Sequence, residues 1–257
     1  MAVNARFTDK SAFITGAGSG IGRAAALRLA AEGAAVACAD INLPSAEATV
    51  EMIEQAGGKG LALQCDVAEE RSMLDAAAEA ARTGGRIDIL FNNAGVAVRL
   101  PVGEQDVEGL DRVLRVNIRG AFLCAKSVLP YLTRPGGVII NTGSIVGLVG
   151  VRNRAAYSLS KGALITLTKN MALDYAHEGI RVNAVCPGFV DTGMTKGLFA
   201  DAEKAERIRL MHPLGRFATA DDIAAAVAFL ASDDAAFITG QALAVDGGFT
   251  AGRPEDV

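Results

Sequence analysis

Short apolar runs alternate along the chain with longer segments in which apolar residues return every three or four positions. The runs, at 11–15, 34–39, 60–65, 87–91, 137–142, 180–186 and 242–245, have the length of strands. The periodic segments, at 21–32, 44–56, 69–82, 106–133, 157–178 and 220–231, have the spacing of one helix face. Strand and helix in regular alternation mean repeated β-α units, and these predict a parallel sheet. The boundaries carry matching signals: Pro44 stands at a first helical turn, and Gly33, Gly57 and Gly179 stand where helices should stop. The fold class that follows is α/β, one domain over residues 1–257, with a doubly wound parallel sheet of about seven strands and helices on both faces. One stretch breaks the pattern. Residues 188–219 separate a strand from the next helix and contain Gly193, Gly197, Pro213 and Gly215. An insertion after a strand's C-terminal end lies where such sheets bind ligands, so it reads as a substrate lid. No internal repeat is visible, and the tail Gly252–Val257 reads as loosely held.

Composition narrows the partner. Hydrophobic residues make up 51% of the 257 positions with no tryptophan, which predicts an aliphatic core. The net charge of −4 and the lack of a long basic run give no electrostatic reason to expect nucleic acid or an anionic membrane surface, so the expected partner is a small molecule. Cys38, Cys65, Cys124 and Cys186 lie far apart in apolar segments, without Cys-x-x-Cys or a nearby histidine, and read as buried, reduced thiols rather than disulfides or zinc ligands. The only histidines, His177 and His212, lack metal-ligand spacing, so no metal is expected. The start, Met1 to Lys10, lacks the design of a signal peptide, and no apolar run approaches the ~18 residues of a membrane span. A cytoplasmic protein is expected.

Tyr157 and Lys161 lie four residues apart at the start of a helical segment, after a strand that ends near Ser144. That spacing puts both on one helix face, where an ammonium should favour the phenolate and lower the tyrosine pKa. Such a pair can pass a proton to or from an alcohol or carbonyl oxygen. The first strand runs into Thr15-Gly-Ala-Gly-Ser-Gly-Ile-Gly22 and then a helix. Glycines at 16, 20 and 22 let the backbone approach a diphosphate at a helix N-terminus. The second strand ends at Asp40, whose carboxylate can accept from adenosine ribose hydroxyls and would repel a 2′-phosphate, so NAD is preferred over NADP. Arg23, in the first helical turn, is read as facing solvent. Further strand ends carry Asp66-Val67 and Asn92-Asn-Ala-Gly95, suited to an adenine amino group and a ribose.

Through Thr15 to Gly22, Asp66, Asn92 to Gly95, Asn117, Ser144, Tyr157-x-x-x-Lys161 and Pro187-Gly188, in that order, the chain resembles the short-chain dehydrogenase/reductase family. The resemblance continues to Val245-Asp-Gly-Gly248. It implies a Rossmann-like fold and hydride transfer between a nicotinamide cofactor and a secondary alcohol or ketone. Tyr157 then corresponds to the general acid/base and Ser144 to the residue that hydrogen-bonds the same substrate oxygen. Lys161 corresponds to the lysine that binds the nicotinamide ribose, and Asn117 to the asparagine that holds a water behind it. Pro187, Gly188, Val190 and Thr192 resemble the segment that orients the carboxamide. The implied cofactor site comprises Gly16, Ser19, Gly20, Ile21, Gly22, Asp40, Ile41, Asp66, Val67, Asn93, Ala94, Gly95, Tyr157, Lys161, Pro187, Gly188, Val190 and Thr192. Family members assemble as tetramers or dimers through two long helices, here 106–133 and 157–178, so a homotetramer or homodimer is expected.

Arg152 and Arg154 stand within five residues of Tyr157, and a guanidinium there suggests a substrate carboxylate. Together with Arg216 they resemble the branch containing cytosolic 3-hydroxybutyrate dehydrogenase and the 2-keto-3-deoxy sugar acid dehydrogenases. The substrate set read from the sequence is Ser144, Arg152, Arg154, Phe189, Met194 and His212, for a small hydroxy acid. The alternatives are a 3-oxoacyl thioester reductase, which Asp40 disfavours because reductive biosynthesis draws on NADPH, and a dehydrogenase of a neutral polyol or cyclic alcohol. More remote is an NAD-binding sensor without turnover.

Overall fold

A computed structural model describes residues 5–199 and 201–252; the residues beyond Gly252, where a loose tail is expected, lie outside the described residues. The strands are β1 (Ser11–Thr15), β2 (Ala35–Asp40), β3 (Lys59–Gln64), β4 (Ile89–Asn92), β5 (Val138–Thr142), β6 (Arg181–Pro187) and β7 (Ala242–Val245). They form one parallel sheet in the order β3-β2-β1-β4-β5-β6-β7. Every residue of β1, β4 and β5 is buried, as central strands covered on both faces must be. Successive side chains take opposite faces. Ala12 and Ile14 enter a core covered by α1 (Gly20–Ala31) and α9 (Ala220–Ala231), while Phe13 enters a second core with α3 (Glu70–Gly84) and α5 (Ala121–Val128). This is a doubly wound, Rossmann-like sheet. All four cysteines are buried and free, and among the described residues no helix is long and apolar enough to cross a membrane.

Pro44 falls in the first turn of α2 (Leu43–Gln55), and the three predicted stop glycines all have positive φ. The segment 106–133 is helical, as expected, but not uniformly α-helical. It is α4 (Val107–Leu114), a π turn over Arg115–Gly120, α5, and a 3-10 turn at Leu129–Tyr131. A π turn inserts one residue into the hydrogen-bond ladder, which a search for helical spacing cannot resolve. Here it carries Asn117, which is buried. The long α6 (Ala155–Tyr175) buries Ser160, Lys161, Leu164, Ile165 and Thr168 along one stripe, so Lys161 points inward.

Between β6 and α9 the chain makes the excursion predicted at 188–219, containing α7 (Lys196–Phe199) and α8 (Ala202–Leu210). Its base closes on itself through a Val190–Ala218 bridge, with the Ala218 N–H donating to the Phe189 carbonyl at 3.0 Å. The strand order reverses between β1 and β4, which opens a crevice at the carboxyl ends of the strands.

Candidate active site

The crevice is a cavity of about 470 Å³ walled by the residues that follow each strand. At its β1–β2 end the glycine loop folds against Asp40. The Gly18 N–H donates to Asp40 Oδ2 at 2.9 Å and the Asn42 N–H to Oδ1 at 3.0 Å. No side chain fits at Gly18, since a Cβ there would stand 2.7 Å from Asp40 Oδ2, nor at Gly22, where it would stand 2.1 Å from the Gly16 carbonyl oxygen. Gly22 is thus a packing position below the floor, while Gly16, Ser19, Gly20 and Ile21 line the cavity. Ser19 precedes α1 without capping it by its side chain, so the first N–H groups of that helix stay free for an anion. Each Asp40 oxygen keeps a lone pair for a hydroxyl. Ile41, Asp66, Val67, Asn93, Ala94 and Gly95 continue the wall. Asp66 is fixed by the Ala68 N–H at 2.9 Å, and Asn93 by its amide bond to the Thr15 carbonyl at 3.1 Å. This cradle, bare backbone beside a helix N-terminus with a carboxylate at the next strand end, fits a dinucleotide. Arg23 does not face solvent. It is half-buried, donating to Thr49 Oγ1 at 3.0 Å and to the Gly18 carbonyl, so its guanidinium braces the glycine loop.

At the β5–β6 end, Ser144, Tyr157 and Lys161 line the same cavity. Lys161 is 3% exposed; its Nζ donates to the Thr142 carbonyl at 2.6 Å and lies 5.5 Å from the centroid of the Tyr157 ring. Burial lowers its ammonium to about 8. Burial also raises the Tyr157 phenol, and the groups that pull it back are the Ser144 hydroxyl by a hydrogen bond and the charges of Arg154 and Arg99. The Lys161 ammonium lies over the ring and is held by a carbonyl, and Arg154 and Arg99 also bring positive charge to the hydroxyl. Asn117 stands behind the cavity wall, not on it. Its Oδ1 accepts from the Val96 N–H at 2.8 Å, and its Nδ2 donates to the Val96 carbonyl at 2.9 Å and to Ser160 Oγ at 3.0 Å.

Of the residues read as substrate contacts, Arg154, Phe189 and Met194 line the cavity, as do Pro187, Gly188, Val190 and Thr192. Arg152 is exposed and outside it. Asn153 between the two arginines has φ of 57°, and this left-handed residue turns the chain so that one guanidinium faces the cleft and the other solvent. His212 is buried and does not line the cavity. Its Nδ1 lies 2.9 Å from the Ile208 carbonyl and its Nε2 accepts from the Phe189 N–H at 3.3 Å, a pairing satisfied by a neutral ring protonated at Nδ1. Arg216 is taken by Asp222 at 2.6 and 2.9 Å and plays no part in the cleft.

The family model described as enoyl-(acyl carrier protein) reductase matches residues 16–250. Cyclohexanol dehydrogenase of Acinetobacter sp. (strain SE19) is 42% identical over 247 residues, which are 95% of this chain and 96% of that one. The chain belongs to the short-chain dehydrogenase/reductase family. Another member, cis-4-hydroxycyclohexanecarboxylate dehydrogenase of Sinomonas cyclohexanicum, is 42% identical over 247 residues, 95% of this chain and 98% of its own. Among solved structures, a dehydrogenase/reductase from Sinorhizobium meliloti 1021 superposes with a TM-score of 0.91 at 40% identity, covering 97% and 98% of the two chains. NAD+-bound xylitol dehydrogenase superposes with a TM-score of 0.89 at 36% identity, covering 95% and 100%. As a member of this family the chain is an oxidoreductase acting on CH–OH groups, interconverting alcohols and ketones. Several cleft residues escaped the sequence reading, among them Thr142, Val146 and Arg99. Arg99, in the loop after β4, lines the cavity and donates through Nη2 to the Met194 carbonyl at 3.0 Å. It sits in Val96-Ala-Val-Arg-Leu-Pro101, a stretch without motif or periodicity, and its partner is 95 residues away.

Proposed function

We propose that this short-chain dehydrogenase oxidises a small hydroxy acid to the keto acid, reversibly, with NAD as the preferred cofactor. The observation that carries the substrate is Arg154, a guanidinium in the cleft wall close enough for its charge to act on Tyr157. The cofactor preference rests on Asp40, whose negative charge lies where a 2′-phosphate would come. Arg23, which braces the glycine loop, is committed to Thr49 and the Gly18 carbonyl. The likeness to NAD+-bound xylitol dehydrogenase supports the same choice.

When bound, NAD supplies the hydride acceptor; the protein supplies binding, orientation and a proton partner. Gly16, Ser19, Gly20 and Ile21 would receive the diphosphate, Asp40 and Ile41 the adenosine ribose, Asp66 and Val67 the adenine. Asn93, Ala94, Gly95, Pro187, Gly188, Val190, Thr192 and Lys161 would hold the nicotinamide half. Ser144 Oγ donates to the substrate oxygen and fixes it beside Tyr157 Oη, which takes the hydroxyl proton on oxidation and returns it on reduction. Lys161 holds ribose hydroxyls, and Asn117 keeps the Val96 loop and α6 in register behind it. Buried, unpaired cysteines suit a reducing compartment, the cytoplasm. Apolar side chains exposed on α4, α5 and α6 suit assembly with further copies of the chain.

The test is the initial rate of NADH formation across 3-hydroxybutyrate, a 2-keto-3-deoxy sugar acid, a neutral polyol and a cyclic alcohol, repeated with NADP on the best substrate. Turnover concentrated on the carboxylates, lost by a factor of at least about 10³ in Tyr157→Phe, is expected. NAD should be favoured at least tenfold, about 1.4 kcal/mol. Equal use of NADP would sink the Asp40 argument. Cyclohexanol dehydrogenase at 42% identity favours a second reading, a neutral cyclic alcohol, which turnover of that class alone would establish.

A further inference from the structure

Two guanidiniums converge on the substrate end of the cleft from separate parts of the chain. Arg99 reaches it from the loop after β4 and Arg154 from the residue before α6. They are close enough that the charge of Arg99 disfavours that of Arg154, and both act on the Tyr157 hydroxyl. Like charges brought together in a half-buried wall need an anion to balance them. Among the described residues neither arginine has a carboxylate partner; the acidic side chains lining the cavity, Asp40 and Asp66, belong to its far, β2–β3 end, and both accept backbone N–H bonds there.

Arg99 adds a sharper sign. Its Nη2 is used by the Met194 carbonyl, but its Nε is buried and has no acceptor. Other arginines of the chain have acceptors within it: Arg23 in Thr49 and Gly18, Arg119 in the Ala68 carbonyl. A buried guanidinium N–H without a partner is costly and rare in a folded protein, and is expected where a ligand completes the bond.

We propose that Arg99 and Arg154 together form the subsite for a carboxylate carried by the alcohol substrate, with Arg99 engaging it through its Nε edge. Guanidinium edges match the two oxygens of a planar carboxylate, which a point charge would not. Because Arg99 also holds the Met194 carbonyl, an anion seated there bears on the 188–219 excursion as well. The subsite rests on the hydroxy acid reading and deepens it, since that reading requires Arg154 alone.

Two matched pairs test it: 3-hydroxybutyrate with 2-butanol, and cis-4-hydroxycyclohexanecarboxylate with cyclohexanol. For each pair the ratio of kcat/KM, acid over neutral alcohol, is measured with NAD for the wild type, Arg99→Gln, Arg99→Lys and Arg154→Gln. In parallel, calorimetry of the NADH complex compares the unreactive cyclohexanecarboxylate with its neutral carboxamide. The wild type should bind the carboxylate at least about tenfold more tightly than the amide. Both Gln variants should cut that preference and the kinetic ratio about tenfold, and Arg99→Lys, which keeps the charge without the fork, by a smaller factor. If Arg99→Gln and Arg99→Lys slow acid and neutral alcohol in equal proportion while Arg154→Gln moves the ratio, Arg99 merely braces Met194 and the two-arginine subsite is overturned with the hydroxy acid reading intact. If the wild type itself shows no preference for the charged ligand, both fall together.

Discussion

Burying an ammonium as completely as that of Lys161 opposes folding, and the sign of the effect can be measured. Its pKa falls from an ordinary 10.5 to about 8, and each unit is worth about 1.4 kcal/mol, so the charge costs the folded state roughly 3 kcal/mol at neutral pH. Because the folded value is the lower one, unfolding takes up a proton between pH 8 and 10.5, and stability rises with pH across that window. Below about pH 8 the penalty is fully present. Lys161→Met removes it and gives up the bond to the Thr142 carbonyl, a charged hydrogen bond worth about 1.5–3 kcal/mol. Denaturant unfolding at pH 7 should therefore show the variant at least as stable as the wild type, by up to about 1.5 kcal/mol, while its alcohol oxidation falls steeply. That advantage should shrink as the pH rises towards 10.5; a variant less stable by 2 kcal/mol or more at pH 7 would mean the ammonium is a net structural asset. Tyr157 and Lys161 were legible in the sequence because their spacing and their strand-to-helix setting are local properties. Arg99 was not, because what distinguishes it from a surface arginine is a carbonyl far along the chain.

At the scale of elements, strands and helices were readable wherever one period ran unbroken: β1, β7 and α9 fall on their predicted bounds. The segment predicted over 106–133 is helical from Val107 to Tyr131, but its middle is a π turn, which shifts the register by one residue without altering the apolar content. The excursion at 188–219 was visible as an interruption, but what holds it was not. His212, taken from the sequence as a substrate contact, ties the excursion to the cleft wall by linking the Ile208 carbonyl to the Phe189 N–H. Its ring also packs against Phe189 and Phe249 at centroid distances of 5.7 and 5.5 Å. His212→Phe keeps the aromatic volume and removes both bonds, stranding an N–H next to the residues that line the nicotinamide end. A loss of about 1–3 kcal/mol in stability is expected, with NADH binding weakened about tenfold in a fluorescence titration. Unchanged affinity would mean that the Val190–Ala218 bridge alone sets the wall.

Among the described residues, exposed apolar side chains include two groups that bear on assembly. One lies on the helices over the second core, where Val107, Phe122, Leu159 and Leu173 are all more than half exposed. The other lies at the β7 edge, where Phe237 is fully exposed and Leu243 about a third exposed. Neither surface lines the cleft. If each surface pairs with its counterpart on another copy, the two contacts close into a dihedral tetramer, whereas one gives a dimer. Light scattering on the eluted 26.4 kDa chain should therefore report four copies. Charging one surface at a time separates the two contacts. Phe237→Asp should stop assembly at a dimer joined through the helices, Leu173→Asp should stop it at a dimer joined through the β7 edge, and the double variant should be a monomer that still binds NADH. If either single variant remains a tetramer, the substituted surface is not an interface; a wild-type dimer would leave one of the two apolar surfaces for some other contact.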